Sequence, residues 1–96
     1  MKLLPHETLL EGEWEMRDGS VKKDATTDRI EWLVSNWLKK ITSSDDGWET
    51  LYQDPADQRF WERSFPQSYM HGGGPPSLRC LSSENAKIKY KTGLTN

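Results

Sequence analysis

Apolar residues recur at helical spacing over one stretch of the chain, at Ile30, Leu33, Val34, Trp37, Leu38 and Ile41, with Lys39 and Lys40 near its end. A repeat of three and four residues predicts an amphipathic helix over residues 25–41, started by Asp24 or a neighbouring Thr and finished by a basic last turn that suits the helix dipole. Upstream, Trp14 and Met16 alternate with Glu13 and Glu15 before the turn formers Asp18, Gly19 and Ser20. That alternation predicts a short hairpin turning near residue 18, with Trp14, Met16 and Val21 on its core face.

Downstream, "TSSDDG" (42–47) closes the helix with turn-forming polar residues, and "WETLYQD" (48–54) and "RFWERSF" (59–65) flank "PADQ" (55–58) as two antiparallel strands. Both strands are apolar on both faces: Trp48 and Tyr52 oppose Leu51, and Trp61 and Phe65 oppose Phe60. A slip of one residue exchanges the faces, so the register stays open. Residues 66–76 read as a loop, "SLRCLS" (77–82) as a further strand, and "SSENAKIKY" (82–90) as a short terminal helix capped by Ser82 or Ser83. The predicted fold is α+β: a small antiparallel sheet of about five strands, with one long amphipathic helix and a short C-terminal helix packed on one face.

A chain of 96 residues allows one domain with a small core. Hydrophobic residues make up only 33% of it, but five Trp, three Tyr and two Phe supply enough apolar area for folding. The formal charge of −2 lacks the basic excess that neutralising many phosphates requires, so direct nucleic-acid binding is not expected. A lone Cys80 forms no intramolecular disulfide, and two widely separated histidines give no metal-ligand spacing, so no metal or other cofactor is expected. Pro5, His6 and Glu7 interrupt the apolar N-terminal stretch, no window reaches the length of a membrane span, and a cytoplasmic location is expected.

Candidate chemistry concentrates in three places. In "YMHGGGPPSLRC" (69–80), Pro75 and Pro76 follow the glycines without an N–H to offer, which argues against a phosphate cradle. Gly72, Gly73 and Gly74 make either a tight turn or a bare backbone that a partner approaches, with His71 at the rim. Between residues 43 and 62, Asp45, Asp46, Glu49, Asp54, Asp57 and Glu62 face a single Arg59, so this segment reads either as a solvated face or as a patch for a basic partner. Trp32 falls opposite the apolar stripe at 100° per residue, either tucked under the N-terminal segment or exposed as an interface anchor. Glu49, Glu62 and His71 are the supply for a small hydrolase, and a groove between the 48–53 and 59–65 strands would suit a peptide-binding adaptor.

The ordered set "RIEWL" (29–33), "GWETLYQDPADQRFWE" (47–62), "FPQS" (65–68) and "MHGGGPP" (70–76) resembles the bacterial immunity protein 27 family, over about Leu9 to Tyr90. Two positions depart from the family pattern: Gln58 stands where a turn glycine is usual, and Tyr69 where an acidic residue often precedes Met-His. The resemblance implies a non-enzymatic antitoxin that binds and blocks one cognate toxin domain of a polymorphic toxin system, in competition between bacteria. The expected toxin contacts are Trp32, Glu49, Asp54, Asp57, Arg59, Glu62, Tyr69, His71, Gly72 and Gly73. Homodimerisation stays open.

Overall fold

The computed structural model describes residues 2–67 and 74–90. Along the chain run β1 (Leu9–Glu11), β2 (Trp14–Arg17), β3 (Ser20–Lys23), α1 (Ala25–Trp32) with a π-helical continuation (Leu33–Trp37), β4 (Lys39–Ser43), β5 (Thr50–Gln53), β6 (Phe60–Ser64), β7 (Ser77–Leu81) and α2 (Ser83–Lys89). Among the described residues five strands form one antiparallel sheet in the order β1-β7-β6-β5-β4, while β2 and β3 form a separate two-stranded sheet. The expected α+β class is therefore what the chain adopts, but two strands of the main sheet, β1 and β4, lie where no strand is predicted from the pattern.

β4 occupies the end of the predicted helix, which is shorter than expected. Leu38 N donates to Leu33 O at 2.7 Å, and Leu38 itself turns to extended backbone with ψ 144°. Lys39–Ser43 then pairs with β5 as an edge strand, bulged between Lys40 and Thr42. Ile41 continues the helical spacing only by coincidence; it sits at the bulge, packed against a second apolar cluster.

The register of the central strands follows from coverage of both faces. Tyr52 pairs with Trp61, which pairs with Cys80, and Leu78 pairs with Leu10. This face carries the main core, where Ile30 and Leu33 pack with Leu10, Tyr52, Trp61 and Leu78. Full burial of an aliphatic side chain of this size is worth about 1.5–3 kcal/mol, so α1 is held mainly by this contact. On the other face Leu51 pairs with Glu62, Glu62 with Arg79, and Phe60 with Leu81. There Leu51, Phe60 and Leu81 meet Ala86 and Tyr90 around α2. The two helices thus cover opposite faces rather than one, and for that reason the strands are apolar on both sides.

The β2–β3 hairpin turns where expected. Asp18 and Gly19 adopt φ 51° and 76°, the two positive values that a tight two-residue hairpin turn demands. Its assigned core face is corrected: Met16 and Val21 pair across the strands but are 71% and 57% exposed. Alternation marks a two-faced strand without saying whether anything covers either face. The hairpin is fixed at its base, where Asp24 caps α1 through Thr27 N at 2.7 Å and also accepts from Glu13 N at 3.0 Å.

Two buttresses organise the opposite end. Arg29 makes a two-pronged ion pair with Glu7, at 2.6 and 2.7 Å, and its NH2 also donates to Lys2 O. Arg59 donates to Glu7 O at 2.6 Å and to Leu4 O at 3.1 Å, with its guanidinium 4.9 Å above the Trp61 ring. The β5–β6 connection closes with Gln58 N donating to Asp54 O at 2.8 Å, and Gln58 takes a left-handed φ of 67°. A side chain in that conformation costs about 1–2 kcal/mol, a strain that glycine at this position would avoid.

Gln58→Gly should therefore raise stability by about 0.5–1 kcal/mol, the relief of strain less the added freedom of the unfolded chain, as read from urea unfolding. A midpoint that falls would show that the side-chain bond from Gln58 Nε2 to Pro55 O outweighs the strain. The Arg29 guanidinium holds the Glu7 carboxyl at about 2, well below its ordinary value of 4.5. Stability from this pair is complete above about pH 4.5 and is lost as pH falls toward 2. Glu7→Gln should cost about 1–3 kcal/mol at pH 7 and nearly nothing at pH 2, measured by urea unfolding at both values.

Candidate functional site

Glu62 stands in the middle of β6 on the α2 face, only 1% exposed. A buried carboxylate needs donors to replace water, and three converge on it: Arg79 NH2 at 2.9 Å, Tyr90 Oη at 2.6 Å and Lys89 Nζ at 2.6 Å. Lys89 also reaches Glu49 at 2.9 Å. Burial pushes the Glu62 carboxyl up, but bonds from Lys89, Tyr90 and Arg79 more than reverse this and hold it below its ordinary value. The Tyr90 phenol is pushed far above its usual range by burial and by the Glu62 carboxylate. Ser82 starts α2 by accepting from Asn85 N at 3.0 Å, and the Lys89 and Tyr90 end pins the helix to the sheet.

A seven-residue helix covers only part of this face. Beyond it opens a groove of about 460 Å³, lined among others by Leu9, Glu11, Trp48, Glu49, Phe65 and Arg79. Trp48 is 53% exposed and meets the Phe65 ring edge-on at 6.1 Å. Its loop is tightly tied: Ser44 N donates to Glu49 O, Glu49 N to Ser44 Oγ, Gly47 N to Ser44 O, and both Ser44 Oγ and Trp48 N donate to Asp46 Oδ1. Gly47 supplies the positive φ of 78° that closes the turn. A large aromatic is thus presented at the surface on an ordered backbone.

The candidate residues are dispersed. Glu49 and Glu62 share the groove. Asp54 is 2% exposed and spent internally, with Oδ1 accepting from Trp37 Nε1 at 3.2 Å and Ala56 N at 2.8 Å. Asp57 binds the Arg59 guanidinium at 2.6 Å, at the far end of the sheet from the groove. Trp32 is half-buried and packs against the main core rather than standing free. Tyr69, His71, Gly72 and Gly73 lie outside the described residues. Gly74, which follows them, has φ 74°, and a Cβ there would collide with the Gln67 backbone, so this glycine is required by packing. Trp48 is the residue the pattern reading missed as a site. Its signal is "DDGW", where turn formers directly before a Trp place it at a loop edge instead of mid-strand.

Half of the six acids in the 43–62 segment, Glu49, Asp57 and Glu62, pair with cations of the same chain, while Asp45 and Asp46 stay exposed. Glu62, held ionised by three donors, is poorly suited to donate a proton at neutral pH. Among the described residues, no three His, Cys, Asp or Glu side chains gather to hold a metal ion, and no helix is long and apolar enough to cross a membrane.

No curated protein and no solved structure matches the chain. The family model described as Immunity protein 27 matches residues 16–82, which contain α1, the β4–β5 loop with Trp48, and the central strands β5, β6 and β7. The chain belongs to the Immunity protein 27 family.

Proposed function

We propose that the chain is an immunity protein that acts in the cytoplasm of a bacterium, where it binds a cognate secreted toxin domain and neutralises it by direct protein contact. Beside family membership, the observation that carries this reading is Trp48, half-exposed on a hydrogen-bonded loop at the mouth of the groove beside α2. Exposed aromatics presented without ordering cost are the anchors that dominate protein interfaces. Within this reading Glu49 touches the toxin. Asp54, Asp57, Arg59 and Glu62 act through the fold they hold together, and Trp32 through the seating of α1. Tyr69, His71, Gly72 and Gly73 belong to the connection between β6 and β7, whose strand ends border the groove.

The direct test is capture of the tagged chain from its native host, followed by expression of the bound partner with and without it. A stoichiometric partner that kills alone and is harmless in combination is expected; absence of any such partner refutes the reading. Two tryptophan variants then separate anchor from core. Trp48→Ala should leave the melting temperature nearly unchanged and weaken toxin binding by about 2 kcal/mol or more, roughly thirtyfold in Kd. Trp32→Ala should lower stability by about 1–3 kcal/mol and leave the affinity of the folded fraction intact, measured by calorimetry of folding and of binding.

A further inference from the structure

The groove has a definite charge layout. Glu11 pairs with Ser77, and Ser77 with Ser64. Glu49 immediately precedes Thr50, whose partner Arg63 immediately precedes Ser64. Glu11, Ser77, Ser64 and Glu49 therefore lie side by side across four strands, with their side chains on the α2 face. Three interstrand spacings separate the outer two, about 14 Å between backbones. Small serines in the middle form a floor, and a carboxylate stands at each wall.

The walls differ from the acids of the turn and the core. Glu11 is exposed, and its carboxylate takes no partner among the described residues. Glu49 commits one oxygen to Lys89. The nearby cations are already engaged, Arg79 on Glu62 and Lys89 between Glu62 and Glu49. Leu9, 48% exposed, and Trp48 add apolar surface. Carboxylates facing a small polar floor beside an open aromatic match a side chain with a cationic head and an aliphatic stem. Arginine fits better than lysine, because a planar guanidinium takes a carboxylate with two bonds and also lies flat on an indole.

Resting on the immunity reading, we propose that this groove receives an extended basic segment of the toxin domain, whose arginine side chains meet Glu11 and Glu49 while their stems lie on Leu9 and Trp48. An extended chain repeats its side chains on one face every second residue, so basic residues four apart span about 14 Å and match the two walls.

The test uses the full chain and the purified toxin domain. Glu11→Arg should weaken binding at least tenfold at low salt and remove much of the salt dependence of association, without lowering the melting temperature. Reversing the matching toxin arginine to glutamate should restore affinity in the Glu11→Arg background. If the unaltered chain binds and neutralises the toxin while Glu11→Arg binds within twofold of it, the groove assignment falls and the immunity reading stands. If the unaltered chain binds no toxin, the immunity reading falls, and an acetylated hexapeptide with arginines at its first and fifth positions judges the groove through tryptophan fluorescence. Binding at least tenfold tighter than that of the same peptide carrying citrulline keeps the assignment; equal binding overturns it.

Discussion

One buried negative charge sets the terms for the rest of the molecule. Glu62 occupies the central strand of the sheet at 1% exposure, where an unpaired carboxylate would cost several kcal/mol. The sheet supplies one donor, Arg79 from the neighbouring strand, and the C-terminal helix supplies two, Lys89 and Tyr90. The helix is therefore bound to the sheet by both a small apolar contact and a charge that has no other way to be solvated. A helix of seven residues is too short to persist alone. Its position on the sheet is what makes it a helix, and among the described residues the same arrangement leaves the other half of that face open as a groove.

The opposite face shows a different solution. There α1 buries Ile30 and Leu33 against Trp61 and Leu78, all at 0% exposure, with no ionised group in the apolar cluster. Cations work at its margin: Arg29 and Arg59 bind the N-terminal segment through Glu7 and through backbone carbonyls of Lys2, Leu4 and Glu7. Guanidinium groups suit this because one fork satisfies several acceptors at once. The short chain thus extends a small core with directional polar contacts at its edges.

How far these features can be read from sequence depends on whether a local pattern has one structural meaning. Asp18-Gly19 does, because few residues tolerate two successive positive φ values, and the hairpin turns there. Ser82 before "SEN" and Asp24 before "ATT" likewise announce helix starts. The spacing that ends in Ile41 has two meanings, since the residue fits a continued helix or a bulged edge strand, and pairing with β5 decides. Leu9–Glu11 is too short to show a period at all. The candidate site was legible in part. Glu49 and Glu62 were identifiable as acids on adjacent strands, but their shared Lys89 is a tertiary fact. Trp32 and Trp48 are equally apolar in a string of letters; the turn formers before Trp48 point to a loop edge, and the packing of α1 and the tight 44–49 loop decide core from surface.

The dispersal of the acidic residues bears on how such a chain can recognise a partner. A raw count over residues 43–62 suggests a strongly negative patch, yet three of its six acids, Glu49, Asp57 and Glu62, face cations of the same chain at 2.6–2.9 Å, and a fourth, Asp54, is buried. At the groove itself the available charge is Glu11 at one wall and the uncommitted oxygen of Glu49 at the other. A diffuse patch would accelerate encounters with any basic surface, whereas two carboxylates at a fixed separation beside an ordered tryptophan reward only a partner whose cations repeat that spacing. Internal pairing of Glu49, Asp57 and Glu62 therefore does more than stabilise the fold: it lowers the general pull of this segment on basic surfaces and gives geometry more weight in any pairing the groove makes.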